Sequence, residues 1–126
     1  MLVLDSGGFG RLAERSKKAL SLIEEFRRAG MWPPVVPTMV LVESLQGHPG
    51  RDANANRFLK TVVKDDVVSL DVVRRAAELR RRARRGSAVD ALVVSLAEPN
   101  GTVLTGDEAD ISALAVVSNG VGFELV

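Results

Sequence analysis

Four carboxylates, Asp5, Glu43, Asp90 and Asp107, stand where an α/β chain would bring them together, with Asp110 close behind. Asp5 ends the apolar run Met1-Leu2-Val3-Leu4, and Asp107 follows Thr102-Val103-Leu104-Thr105. Glu43 lies one helical turn beyond Pro37-Thr38, and Asp90 opens an apolar helical stretch. Acids gathered in this way repel one another unless a positive charge sits between them, and a divalent metal is the simplest such charge. Asp5, Asp90 and Asp107 also have a plainer use, as caps or charges at helix N-termini. Glu43 resists that reading: Val40, Leu41, Val42 and Leu45 around it suggest a mostly buried helix, where a charge needs a partner.

Composition narrows the chemistry. The chain has 126 residues, 46% of them apolar, which is one domain with a core of its own, spanning residues 1–126. There is no cysteine and His48 is the only histidine, so thiolate sites and histidine-rich zinc sites are excluded. A Ser-His-Asp triad would have to use His48, whose place between Gly47 and Pro49 suggests a surface loop. The remaining metal ligands are oxygens, which suit Mg²⁺ or Mn²⁺.

The net charge of +1 hides a division. Residues 74–85 hold seven arginines against the single acid Glu78, whereas no Lys or Arg follows Arg85 and six acids do. Metal-dependent nucleases need both signs, acids for the metal and a basic surface for phosphates. Arg74, Arg81, Arg82 and Arg85 are therefore candidate RNA contacts, the other reading being a solvated helix face or a seat for an acidic partner. No basic leader precedes a long apolar stretch, and no run is long enough to span a bilayer, so a soluble, cytoplasmic protein is expected.

The elements that must position these groups alternate. Strands are expected at residues 2–5, 35–36, 67–70, 102–105 and 122–126. A helix is expected from Leu12 to Gly30, another from Thr38 to about Gln46, and a third over residues 52–63. An arginine-rich helix follows, capped by Asp71, with the seam Val72, Ala76, Leu79 and Ala83. Helices beginning at Ser87 and at Asp107 complete the pattern. Short apolar strands between helices imply a parallel sheet covered on both faces, and in such sheets functional groups collect beyond the carboxyl ends of the strands. Gly8-Phe9-Gly10-Arg11-Leu12-Ala13 fits a dinucleotide fingerprint, but no acid ends a second strand at the required distance.

The segments Val3-Leu4-Asp5-Ser6, Pro37-Thr38 through Val42-Glu43-Ser44, Ser87-Ala88-Val89-Asp90-Ala91-Leu92-Val93 and Val103-Leu104-Thr105-Gly106-Asp107-Glu108-Ala109-Asp110 come in the order found in PIN-domain ribonucleases. The chain resembles that superfamily, and within it the VapC-type toxins of bacterial toxin–antitoxin pairs. The resemblance covers essentially the whole chain and departs from the pattern at Gly7-Gly8, where many relatives carry a small-apolar pair. It implies a three-layer α/β sandwich with a short central parallel sheet. The acidic quartet falls on Asp5, Glu43, Asp90 and Asp107, with Asp110 a more variable support and Ser6 and Thr105 hydroxyls that help arrange the site. It further implies an endoribonuclease leaving a 5′-phosphate and a 3′-hydroxyl, a cognate antitoxin that fills the acidic cleft, and a homodimer.

Two metals about 3.5–4 Å apart stabilise both the attacking and the leaving oxygens of a phosphodiester. In that scheme Asp5, Asp90 and Asp107 hold metal, Glu43 ligates or orients the attacking water, and Asp110 supports them. Two other readings compete. A PIN-like module that only binds RNA or a partner would have no reason to keep mutually repelling acids. A receiver-like phosphoacceptor expects paired acids after the first strand and a late lysine, whereas Asp5 stands alone and no lysine follows Lys64.

Overall fold

The computed structural model describes residues 1–126. Its strands are β1 (Leu2–Leu4), β2 (Val35–Pro37), β3 (Val63–Asp65), β4 (Thr102–Thr105) and β5 (Gly122–Leu125). Its helices are α1 (Ser6–Ala13), α2 (Lys17–Arg28), α3 (Leu41–Ser44), α4 (Ala53–Leu59), α5 (Leu70–Ala83), α6 (Ala88–Ala97) and α7 (Glu108–Val116). The strands form one sheet in the order β3-β2-β1-β4-β5, every neighbouring pair parallel. The chain moves outward from β1 through β2 to β3, then returns to lay β4 on the other side of β1. Right-handed crossovers in opposite directions place helices on opposite faces. Accordingly α1 packs with α2, α3 and α4, while α5, α6 and α7 pack together. This is the expected three-layer α/β sandwich.

The core follows the short apolar runs. Leu2, Val3, Leu4, Val36, Val103 and Leu104 from the three inner strands are buried. They meet Phe9, Leu12, Phe26 and Phe58 on one face and Leu79, Val93, Val94, Ile111 and Leu114 on the other. Fully burying side chains of this size contributes roughly 1.5–3 kcal/mol each. Strands β1 and β4 thus carry a rigid frame to their neighbouring carboxyl ends. That is where the sheet changes winding direction, and open α/β sheets form a crevice at such a point.

Several boundaries differ from the sequence expectation. The third strand is Val63-Lys64-Asp65, not residues 67–70, and it pairs with β2 in the register Val35↔Val63. Val67 is 73% exposed, and Ser69 is the cap of α5, accepting from Val72 N, so Asp71 falls in the first turn instead of at the cap. The difference follows from the edge position of β3, since an outer strand needs no apolar run. The single helix expected over residues 12–30 is two. Arg15 takes a left-handed backbone (φ 61°) and Ser16 caps α2 by accepting from Ala19 N at 3.1 Å. Asp52 precedes α4 but gives it no side-chain cap. Its buried carboxylate accepts instead from the amides of Gln46, Gly47 and His48, closing the loop that holds the exposed His48.

The Gly7-Gly8 pair lies inside the first turns of α1 and does not break it. A Cβ on Gly8 would lie 2.2 Å from the carbonyl oxygen of Leu104, and one on Gly7 would lie 2.7 Å from Gly106 N. The pair therefore lets α1 rest directly on the end of β4, which draws Asp5 and Thr105 together.

One arginine of the basic helix has a structural task. Arg75 on α5 makes a two-pronged pair with Glu98 at the end of α6, both contacts 2.8 Å, and Asn119 N donates to the same carboxylate at 2.6 Å. The Arg75 hydrogen bonds, chiefly, hold the Glu98 carboxyl below its usual range. A depressed carboxyl contributes stability that is present above its unfolded value and lost as pH falls through the folded one. In urea titrations Glu98→Gln is expected to lower stability by about 2 kcal/mol at pH 7, and the gap to wild type should shrink once pH drops below 4.5. A gap unchanged between pH 7 and pH 3 would contradict this role.

Candidate metal centre

Asp5 leaves β1 in extended conformation and caps α1. It is 6% exposed, its Oδ1 accepts from Gly8 N at 2.7 Å, and its Oδ2 accepts from the Thr105 hydroxyl. Thr105 is fully buried at the end of β4, and its Oγ1 in turn accepts from Asp107 N at 2.8 Å. One hydroxyl thus fixes the orientation of Asp5 and the start of the turn that carries Asp107. Burial raises the Asp5 carboxyl above its ordinary value; the Thr105 and Gly8 hydrogen bonds oppose that shift, and the charge of nearby Asp90 adds to it.

Asp90 sits in the first turn of α6 in a reciprocal cap. Its Oδ2 accepts from Ser87 N and its own amide donates to Ser87 Oγ, both at 3.0 Å. Asp107 caps α7, its Oδ1 accepting from Asp110 N at 3.1 Å. Asp110, one turn further, accepts at Oδ1 from Arg85 Nε at 2.7 Å. The capping use foreseen for Asp5, Asp90 and Asp107 is thus present in every case. It occupies one oxygen of Asp90 and one of Asp107.

Carboxylate oxygens of Asp90, Asp107 and Asp110 lie within 4.8 Å of one another. Asp110, given only a supporting place from the sequence, stands inside this close group. Asp5 is electrostatically coupled to Asp90 and joined to Asp107 through Thr105, but lies outside the close triad. A signal for Asp110 was present: acids at the cap and the third helical residue lie on one face of a first turn. Helix dipoles from α6 and α7 favour these anions, yet two unit charges at 4 Å still repel by about 1 kcal/mol in water and about 4 kcal/mol near a protein surface.

Glu43 belongs to a different environment from the one expected. The helix around it is a single turn, α3, with no buried residue, and Val42 is 84% exposed. The turn keeps Val40, just ahead of it, in the core and packs Leu41 against that core, but it points Val42 and Glu43 into solvent. Glu43 is exposed and its partner is Ser6, whose Oγ donates to Oε2 at 2.9 Å. That contact ties the α3 acid to the residue following Asp5.

The arginines divide. Arg82 donates to the Val117 carbonyl at 3.4 Å, and Arg80 to the Gly86 carbonyl at 3.1 Å. Arg85 pairs with Asp110, while Arg74 and Arg81 are exposed. Trp32 is half-buried against Phe58, with the Arg27 guanidinium 5.4 Å from its ring centre.

The donors are all oxygens, and one oxygen each of Asp90, Asp107 and Asp110 has no protein donor. This set fits a hard divalent cation such as Mg²⁺ or Mn²⁺ and offers nothing to a soft one.

The fold is PIN-like. Among solved structures, VapBC2 from Rickettsia felis bound to a DNA fragment from their promoter includes a chain that overlays with a TM-score of 0.67, covering 100% of this chain and 99% of that one at 14% identity. No family model and no curated protein matches the sequence. At that identity the likeness is one of fold, and the site's chemistry rests on the residues themselves.

Proposed function

We propose that this chain is a Mg²⁺- or Mn²⁺-dependent endoribonuclease, the toxin of a toxin–antitoxin pair. The observation that carries the reading is the close group Asp90, Asp107 and Asp110, faced by one arginine and flanked by buried Asp5. Capping alone accounts for Asp90 and Asp107 but not for a third acid set against them.

Asp90 and Asp107, with Asp5 beside them, would hold the cation, and Asp110, paired here with Arg85, would be a further ligand if that pair opened. Held there, such a cation would supply Lewis-acid stabilisation of the phosphodiester and would lower the pKa of a water bound to it. Thr105 and Gly8 N hold the Asp5 carboxylate in one orientation. Glu43, steadied by Ser6, orients the attacking water. Arg74, Arg81 and Arg82 hold the RNA backbone.

The resemblance to VapC-type toxins and the VapBC2 fold neighbour support an antitoxin partner. So does a groove of about 340 Å³ lined by Leu12, Leu20, Ile23, Trp32 and Phe58 and rimmed by arginines. A groove of this kind accepts the apolar face of a partner helix. The same resemblance supports pairing of two copies.

The competing reading is a PIN-like module that binds RNA without cutting it, which the capping roles of the acids favour. A melting experiment separates the two. Mn²⁺ at a hundredfold excess over its Kd adds about 2.7 kcal/mol, which raises the midpoint by roughly 10 °C. Wild type should show this shift, together with cleavage of RNA, and Asp90→Asn should lose both. A wild-type midpoint indifferent to Mn²⁺ would sink the enzyme.

A further inference from the structure

At the carboxyl end of α5 the chain builds a hollow of about 420 Å³ lined by Ala77, Arg80, Arg81, Arg84, Arg85 and Gly86. Four of its six lining residues are arginines and none is an acid. Arg84 contributes through a left-handed backbone at φ 56°, and Gly86 follows at φ 98°. A non-glycine residue in that region is uncommon. Here it ends the helix and keeps Arg84 and Arg85 beside the turn above them. Part of this charge has a local use. Arginines in a last turn complement the helix dipole, and Arg80 Nε is spent on the Gly86 carbonyl. Arg81 and Arg84 have no carboxylate or carbonyl partner.

Arg85 stands on the border of two sites. It lines the hollow, and its Nε is 2.7 Å from Asp110 Oδ1 in the acid group. A cation entering the acids competes with Arg85 for Asp110. An anion entering the hollow competes with Asp110 for Arg85. Each event therefore makes the other easier, and such coupling is reciprocal.

We propose, resting on the ribonuclease reading, that this hollow is a backbone-phosphate subsite for RNA, and that Arg85 couples its filling to divalent-cation binding at Asp110. Guanidinium forks match phosphate oxygens two at a time, and the shared arginine puts the subsite one side chain away from the acids. RNA is favoured over an acidic protein segment for that reason, since a substrate that brings its own phosphate to Arg85 completes the cation site.

Two measurements on the full-length chain test this. Calorimetric titration with Mn²⁺ alone, without RNA, should show Arg85→Gln binding the ion at least about fivefold more tightly than wild type, because its resident competitor is gone. Equal or weaker Mn²⁺ binding by Arg85→Gln overturns the coupling while leaving the metal site standing. Absence of Mn²⁺ binding by both proteins overturns coupling and ribonuclease reading together.

The second measurement is anisotropy with a short single-stranded RNA in EDTA. The double variant Arg81→Gln/Arg84→Gln should bind more weakly than wild type. Its log–log salt slope should be smaller by about 1.4, the share of two phosphate contacts on a single strand. Unchanged RNA affinity and slope overturn the subsite, and point to a protein partner for the arginines. Circular dichroism melts of each variant confirm that these surface changes leave the fold in place.

Discussion

Asp5→Asn is expected to abolish RNA cleavage, by about a thousandfold or more, while raising the thermal stability of the chain at neutral pH. The activity loss follows from removing one carboxylate next to a cation site: several kcal/mol of transition-state stabilisation corresponds to three or more powers of ten in rate. The stability gain follows from the position of the group. Asp5 is nearly excluded from solvent and faces the charge of Asp90, so its carboxyl is raised, burial being the main cause. A group raised on folding contributes stability below its unfolded value and loses it as pH climbs through the folded one. The ionised form is thus the destabilising one above that range. Asparagine removes the buried charge, keeps an oxygen for Gly8 N, and presents a donor to the second lone pair of Thr105 Oγ1. The difference in midpoint between variant and wild type should be positive at pH 7, should fade as pH falls from the raised folded value toward 3.8, and should be gone below it. A variant that is inactive and also less stable at pH 7 would mean that the hydrogen bonds of the Asp5 carboxylate outweigh the cost of its buried charge.

The second large effect is expected from one methyl group. Gly8→Ala places a Cβ 2.2 Å from the Leu104 carbonyl oxygen and 2.9 Å from its carbon. Both atoms are backbone, and the same oxygen accepts from Asp5 N at 3.2 Å, so neither can step aside. The helix must lift from β4, which separates Asp5 from Thr105. Overpacking of this kind costs about 3 kcal/mol, a fall in melting midpoint of roughly 10 °C for a domain of this size. Gly10 is the internal control. It lies in the same helix with nothing within 4 Å of its hypothetical Cβ, so Gly10→Ala should stabilise by about 0.5–1 kcal/mol. Opposite signs at two glycines two residues apart would identify the close approach, and equal effects would reduce both to helix propensity.

Much of this molecule was legible in one dimension. Leu2–Leu4, Val35–Val36 and Thr102–Thr105 read as strands because inner parallel strands are buried on both faces and so must be apolar throughout. The seam of α5 was legible because Ala76 and Leu79 recur at helical spacing and are buried. The placement of Asp5 and Asp107 beyond strand ends followed from the same alternation. The capping reading was also available, since Asp and Ser at helix starts have local partners a few residues away.

What depended on distance in sequence was not legible. The exposed edge strand β3 carries Lys64 and Asp65, and the more apolar Val67-Val68 drew the assignment away from it. Glu43 looked buried because its neighbours are apolar, but a one-turn helix on the rim leaves Val42 in solvent. The role of Gly8 depended on Leu104, nearly a hundred positions away. Local pattern is thus enough for the alternation of strands and helices, for the apolar core of the inner strands, and for which acids stand at strand and helix ends. It takes the folded chain to bring Asp110 to Asp90 and Asp107, to hold Asp5 by Thr105 just outside that group, and to pair Arg85 with Asp110. The physical reason is one of range. Capping and periodicity act within a few residues, whereas carboxylate spacing and ion pairing are set by how α5, α6 and α7 converge on the ends of β1 and β4.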